Sequence, residues 1–144
     1  MLQELKHTSL YSRHLQLGAK MGSFAGYSMP IQYDGIVTEH QVVRSSAGIF
    51  DVSHMGQLFV SGEKAESFLQ FITINDVKKL SHGKVQYSAM CTEEGGIIDD
   101  FLVYRFENHF LVVVNAANIT NDFDWMNKYK PEGVEIINHS DEID

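Results

Sequence analysis

The clearest hydrophobic pattern begins at Gln57. Residues Gln57 to Ser61 form a short apolar strand. Ala65, Phe68, Leu69 and Ile72 follow at i, i+3, i+4 and i+7, one face of a helix that Ser61 is placed to cap. That stripe needs a sheet to pack on, and Asn75 with Asp76 ends the helix. Lys84 to Cys91 alternates, with Val85, Tyr87, Ala89 and Cys91 on one face. Glu93-Glu94-Gly95-Gly96 is a turn. Ile97 to Phe106 is apolar on both faces, as expected of a strand inside a sheet. Glu107-Asn108-His109 turns the chain into Phe110 to Val114, a second two-faced strand. Asn118 or Thr120 can cap a helix carrying Ile119, Phe123 and Met126. Lys128 and Lys130 suit its C-terminal dipole, and Pro131 with Gly133 stops it. Val134 to Ile137 is the last strand.

The order over 57–137 is β-α-β-β-β-α-β. It predicts an α+β fold: a split β-α-β, ferredoxin-like sheet with one extra strand and helices on one face. Before Met55 the texture changes. Gly18, Gly22, Gly26, Pro30, Gly35 and Gly48 interrupt the runs. Helices are expected over 9–18 (Leu10, His14, Leu17) and 35–46 (Ile36, His40, Val43), with an irregular stretch over 19–34. Residues 1–54 thus resemble an incomplete half-domain of helices and loops without a sheet, and residues 55–144 an α+β domain.

Charge follows the same boundary. The chain of 144 residues has a formal net charge of -8. Lys6, Arg13, Lys20 and Arg44 balance Glu4, Asp34, Glu39 and Asp51, so the whole excess lies after residue 54. An acidic chain is a poor non-specific phosphate binder, so no nucleic-acid partner is expected. No apolar run approaches the ~20 residues of a membrane span, and the N-terminus lacks the pattern of a secretory signal. One cysteine excludes an internal disulfide framework. None of the seven histidines stands at a metal-ligand spacing, and no metal is expected.

The strongest candidate chemistry is Gly95-Gly96-Ile97-Ile98-Asp99-Asp100-Phe101-Leu102-Val103-Tyr104. Alternation puts Asp100 in a row with Ile98, Leu102, Tyr104 and Phe106, where a carboxylate needs a hydrogen-bonded partner or a raised pKa. For Asp100, a turn role and a functional role are about evenly balanced; Asp99 reads as a turn residue beside the glycines. Tyr87 and Tyr104 could stack on a flat ligand, although ordinary sheet aromatics are the more common case. His54 reads as a hydrogen-bonded structural histidine, Met55 as apolar filler or pocket lining, and Cys91 as inert core.

These stretches resemble the aminomethyltransferase of the glycine cleavage system, the T-protein. The similarity rests on Leu17-Gly18-Ala19-Lys20-Met21, Phe24-Ala25-Gly26-Tyr27-Ser28-Met29-Pro30, Ala47-Gly48-Ile49-Phe50-Asp51-Val52-Ser53-His54-Met55-Gly56, Asn75-Asp76-Val77, Tyr87-Ser88-Ala89-Met90-Cys91, Gly95-Gly96-Ile97-Ile98-Asp99-Asp100 and Val114-Asn115-Ala116-Ala117-Asn118. It covers nearly the whole chain, whereas family proteins continue past Asp144. The resemblance implies that tetrahydrofolate, as co-substrate, binds in a cavity between domains. An aminomethyl group from the lipoyl arm of the H-protein then yields ammonia and 5,10-methylenetetrahydrofolate. It gives Asp100 the catalytic role and makes Met55, Tyr87, Asp100, Tyr104 and Asn115 folate-binding. It also implies that residues 1–54 are the first segment of a discontinuous domain, and a cytoplasmic setting in bacteria or the mitochondrial matrix in a eukaryote. The alternatives are the folate domain of another superfamily member, or an inactive truncated fragment that binds folate or a partner. The 144 residues alone are expected to be inactive.

Overall fold

The computed structural model describes residues 4–143. Residues up to His54 form one compact unit and Met55–Ile143 a second.

The first unit contains helix α1 (Tyr11–Gln16), strands β1 (Lys20–Phe24) and β2 (Tyr27–Gln32), and helix α2 (Ile36–Ser45). The hairpin corrects the expectation of an irregular, sheetless stretch over 19–34. β1 and β2 pair antiparallel, with Phe24 opposite Tyr27. Ala25 and Gly26 both have positive φ, 48° and 84°, as a two-residue turn matched to strand twist requires. Among the described residues up to His54, Met29 is the only buried hydrophobic side chain, whereas Thr8, His14 and His54 are buried polar ones.

Polar bonding therefore organises this unit. His14 Nε2 lies 2.8 Å from Asp51 Oδ2, and its Nδ1 lies 2.7 Å from the Tyr33 hydroxyl. Asp51 accepts only, so His14 Nε2 donates to it. Thr8 and Ser53 hydroxyls also donate to Asp51, at 2.8 and 2.7 Å. Glu39 Oε1 accepts the backbone N–H groups of Tyr33, Asp34 and Gly35 and so closes the N-terminus of α2. Those bonds, from Gly35 first, hold its carboxyl below the usual glutamate pKa. His54 is seated by rings rather than by the expected hydrogen bonds. It meets Phe24 and Tyr27 edge-on at 5.6 and 6.1 Å, and its Nδ1 has no partner.

The second unit is a five-stranded antiparallel sheet in the order β4-β5-β6-β3-β7. Its strands are β3 (Gly56–Ser61), β4 (Val85–Cys91), β5 (Ile97–Arg105), β6 (His109–Val114) and β7 (Glu135–Asn138). Helix α3 (Ala65–Ile72) follows β3 and helix α4 (Ile119–Tyr129) follows β6. This is the expected α+β layout, with β4 as the extra strand on the edge. The apolar stripe of α3 (Ala65, Phe68, Leu69, Ile72) and Met126 of α4 share one core with Leu58, Val60, Phe101, Val103, Phe110, Val112, Val114 and Ile136. Both helices thus cover the same sheet face.

Two local expectations change. Ser61 ends β3 and does not cap α3, because a turn at Gly62 intervenes and accepts the Ala65 N–H at 3.0 Å. The ladder slips between Met90 and Cys91, which turns Cys91, half-buried opposite Ile97, out of the row of Val85, Tyr87 and Ala89 and toward Ile72 and Trp125. Among the described residues, no helix is long and apolar enough to cross a membrane.

Gly62 has φ +108°, and a Cβ there would collide with the carbonyl oxygen of Gly133. Rigid backbone on both sides leaves the chain no room to relax. Gly62→Ala is therefore expected to destabilise the second unit by about 2 kcal/mol, read from the denaturant midpoint. An unchanged midpoint would remove this close approach as the anchor of β7.

Candidate functional site

The second face of the sheet has no helix of its own unit. Register fixes its rows. Tyr87 stands opposite Leu102, Leu102 opposite Val113, and Val113 opposite Gln57. Val85, Tyr104, Leu111, Phe59 and Ile137 form the next row. Ala89 and Asp100 pair at the other end. The result is a largely apolar, partly exposed surface with a carboxylate at one end.

Asp100 is exposed, and its Oδ2 accepts the Tyr87 hydroxyl at 2.7 Å. The hydrogen-bonded partner that its apolar row calls for is thus a phenol from the neighbouring strand. Bonding to Asp100, then burial, raises the Tyr87 pKa, so the hydroxyl stays protonated and donating at neutral pH.

Asn115 is placed by the end of β6. Its Nδ2 donates to Asp99 Oδ1 at 2.9 Å and to the Asp100 carbonyl at 3.0 Å. Its backbone N–H reaches Asp99 Oδ2 at 3.4 Å. With both amide hydrogens committed, the side chain can offer a ligand only its oxygen. Met55, half-buried, lies one residue before the Gly56–Val114 pair, level with Asn115. Register thus puts Met55, Asp100 and Asn115 in one row at this end of the face, with Tyr87 in the next row and bonded to Asp100. Tyr104 is half-buried on the same face, four residues along β5 and so roughly 13 Å from Asp100. It could meet only the far part of an elongated ligand.

Asp99 is no turn residue. It is an interior residue of β5, 6% exposed, on the core face with Phe101 and Val103. Burial pushes its pKa up, but hydrogen bonds with Asn115, Asp122 and Asn118 outweigh that, and the net value is below the usual carboxylate range. Asp122, on α4, is fully buried. Burial first, then the bond to Asp99 and its charge, push Asp122 up to about 8. Sequence reasoning overlooked Asp122. Its signal was its place on the same helical face as Ile119 and Met126, where a carboxylate is out of place.

Among the described residues, no group of three or more His, Cys, Asp and Glu side chains could hold a metal ion. The site offers a carboxylate, a neutral phenol and an amide oxygen beside an apolar floor. That suits a flat, polar-edged organic ligand and the stabilisation of positive charge near Asp100.

Known proteins share this framework. The profile of the GCVT N-terminal domain matches residues 10–144. An aminomethyltransferase from Chloroherpeton thalassium is 50% identical over 141 residues, covering 96% of this chain and 39% of that protein. One from Desulforamulus reducens is 51% identical over 141 residues, covering 97% and 39%. The crystal structure of the glycine cleavage system aminomethyltransferase T from Bartonella henselae superposes with a TM-score of 0.87 at 38% identity, covering 94% of this chain and 38% of that one. The chain, which spans about two fifths of the length of these relatives, belongs to the family of the GCVT N-terminal domain.

Proposed function

We propose that the chain is the N-terminal part of a glycine-cleavage aminomethyltransferase. It takes an aminomethyl group from the lipoyl arm of the H-protein, releases ammonia and forms 5,10-methylenetetrahydrofolate. The carrying observation is the Tyr87-bonded Asp100 carboxylate at the end of an apolar sheet face, in a chain of this family. As ammonia leaves, the transferred carbon becomes iminium-like and positive. A fixed carboxylate stabilises that charge and orients the folate nitrogen. An apolar surround keeps water from the reactive carbon. Met55 and Tyr87 would line the pterin end with Asp100 and Asn115, and Tyr104 the distal end. Tetrahydrofolate acts here as a co-substrate, and the setting is the bacterial cytoplasm or, in a eukaryote, the mitochondrial matrix. The 144 residues alone are proposed to be inactive, since they span only 39% of the relatives' length.

The test is ammonia release from an aminomethylated lipoyl carrier, with the chain in its longer polypeptide. Tetrahydrofolate-dependent release is expected. Release that ignores folate, or folate-dependent demethylation of another amine with none from this carrier, would refute the assignment.

A further inference from the structure

The pair of buried carboxyls behind the site, Asp99 and Asp122, is the least expected feature of the core. Asp122 is 0% exposed, and neither carboxyl oxygen has an N–H or O–H donor within reach. A buried carboxylate in that state would be untenable. The group that acts on Asp122 besides burial is another carboxyl, Asp99, which is itself buried and accepts from the Asn115 amide. Two carboxyls can bond only if one carries a proton. Asp99 already takes N–H donors and is the better anion, so Asp122 is the donor. Asp99 then grips Asn115, and Asn115 Nδ2 grips the Asp100 carbonyl.

We propose that Asp122 is a positioning residue: as a protonated acid it donates to Asp99, and through Asn115 this bond sets the backbone from which the Asp100 carboxylate projects. The inference rests on the aminomethyl-transfer role proposed for Asp100 but concerns only the wiring behind it. The charged group acting on Asp122 is Asp99 from β5; Asn118, which also acts on Asp99, is neutral. Among the described residues, neither carboxyl has an ion-pair partner to take over when the proton is lost. Above the pH at which Asp122 ionises, two anions face each other, Asp99 is driven off Asn115, and Asp100 loses its anchor. A proton is released to solvent, and no other bond is made or broken.

The test is an NMR titration of the chain from pH 6 to 10. It follows the carboxyl carbons of Asp99 and Asp122 and the Asn115 side-chain amide. One shared midpoint near 8 is expected in all three signals. In Asp122→Asn, whose amide donates to Asp99 at every pH, the Asn115 signals should hold their low-pH position throughout. A flat Asn115 amide in the native chain, or the same midpoint surviving in Asp122→Asn, overturns the proposal. Both readouts are independent of turnover, so failure of the aminomethyltransferase assignment would show separately in the ammonia assay.

Discussion

Asp100→Asn, in the longer polypeptide, is expected to lower kcat for the proposed aminomethyl transfer by about 10²- to 10³-fold, with affinity for the proposed folate co-substrate changed less than tenfold. The substitution conserves shape. The Asn oxygen still accepts the Tyr87 hydroxyl, now bonded to Asp100 Oδ2 at 2.7 Å. The Asp100 carbonyl still accepts from Asn115. Only the negative charge is lost, so the effect falls on the step that develops positive charge rather than on ground-state binding. Initial rates of ammonia release with saturating tetrahydrofolate, beside calorimetric folate binding, separate the two. A variant with native kcat would remove Asp100 from the chemistry. Equal losses in kcat and in affinity would recast it as a binding group.

Period-two alternation by itself places Asp100 among apolar neighbours, because a strand has only two faces and Phe101 and Val103 occupy the other. The same alternation puts Asp99 on that core face. Its neighbourhood of glycines and acids argues for a turn, and tertiary burial overrides that local cue. The hairpin at 20–32 is illegible for a different reason. Its strands mix Gly22, Ser23, Ser28 and Pro30 with apolar residues, so no alternation stands out. Its turn also uses Ala25 at φ 48° where Asn or Asp would be the usual signal. Cys91 falls out of its row because a one-residue slip in the ladder is not written in composition. The polar network of the first unit joins residues as far apart as Thr8 and Asp51, and no local pattern couples such distant positions.

That network carries the largest stability effect expected in the chain. The Asp51 side chain is 1% exposed and receives His14, Thr8 and both the hydroxyl and backbone N–H of Ser53. Burial opposes its charge, yet those bonds, His14 first, hold its carboxyl far below the usual range. Asp51→Ala strands all of these donors at once. The expected loss is about 3 to 5 kcal/mol, the scale for breaking a buried pair by deleting one partner. With Met29 as the one buried hydrophobic side chain described in this unit, little apolar burial remains to offset the loss. The β1–β2 amides should therefore lose hydrogen-exchange protection, while Val103 and Val112 in the second unit keep theirs. The pH dependence has a definite sign. Because the folded pKa of Asp51 is depressed, its contribution is complete above the unfolded value of about 4 and is lost as the pH falls below it. Acid should thus expose the hairpin in the native chain as the substitution does at neutral pH. Full hairpin protection in Asp51→Ala would show that apolar packing, not this carboxylate, holds the first unit together.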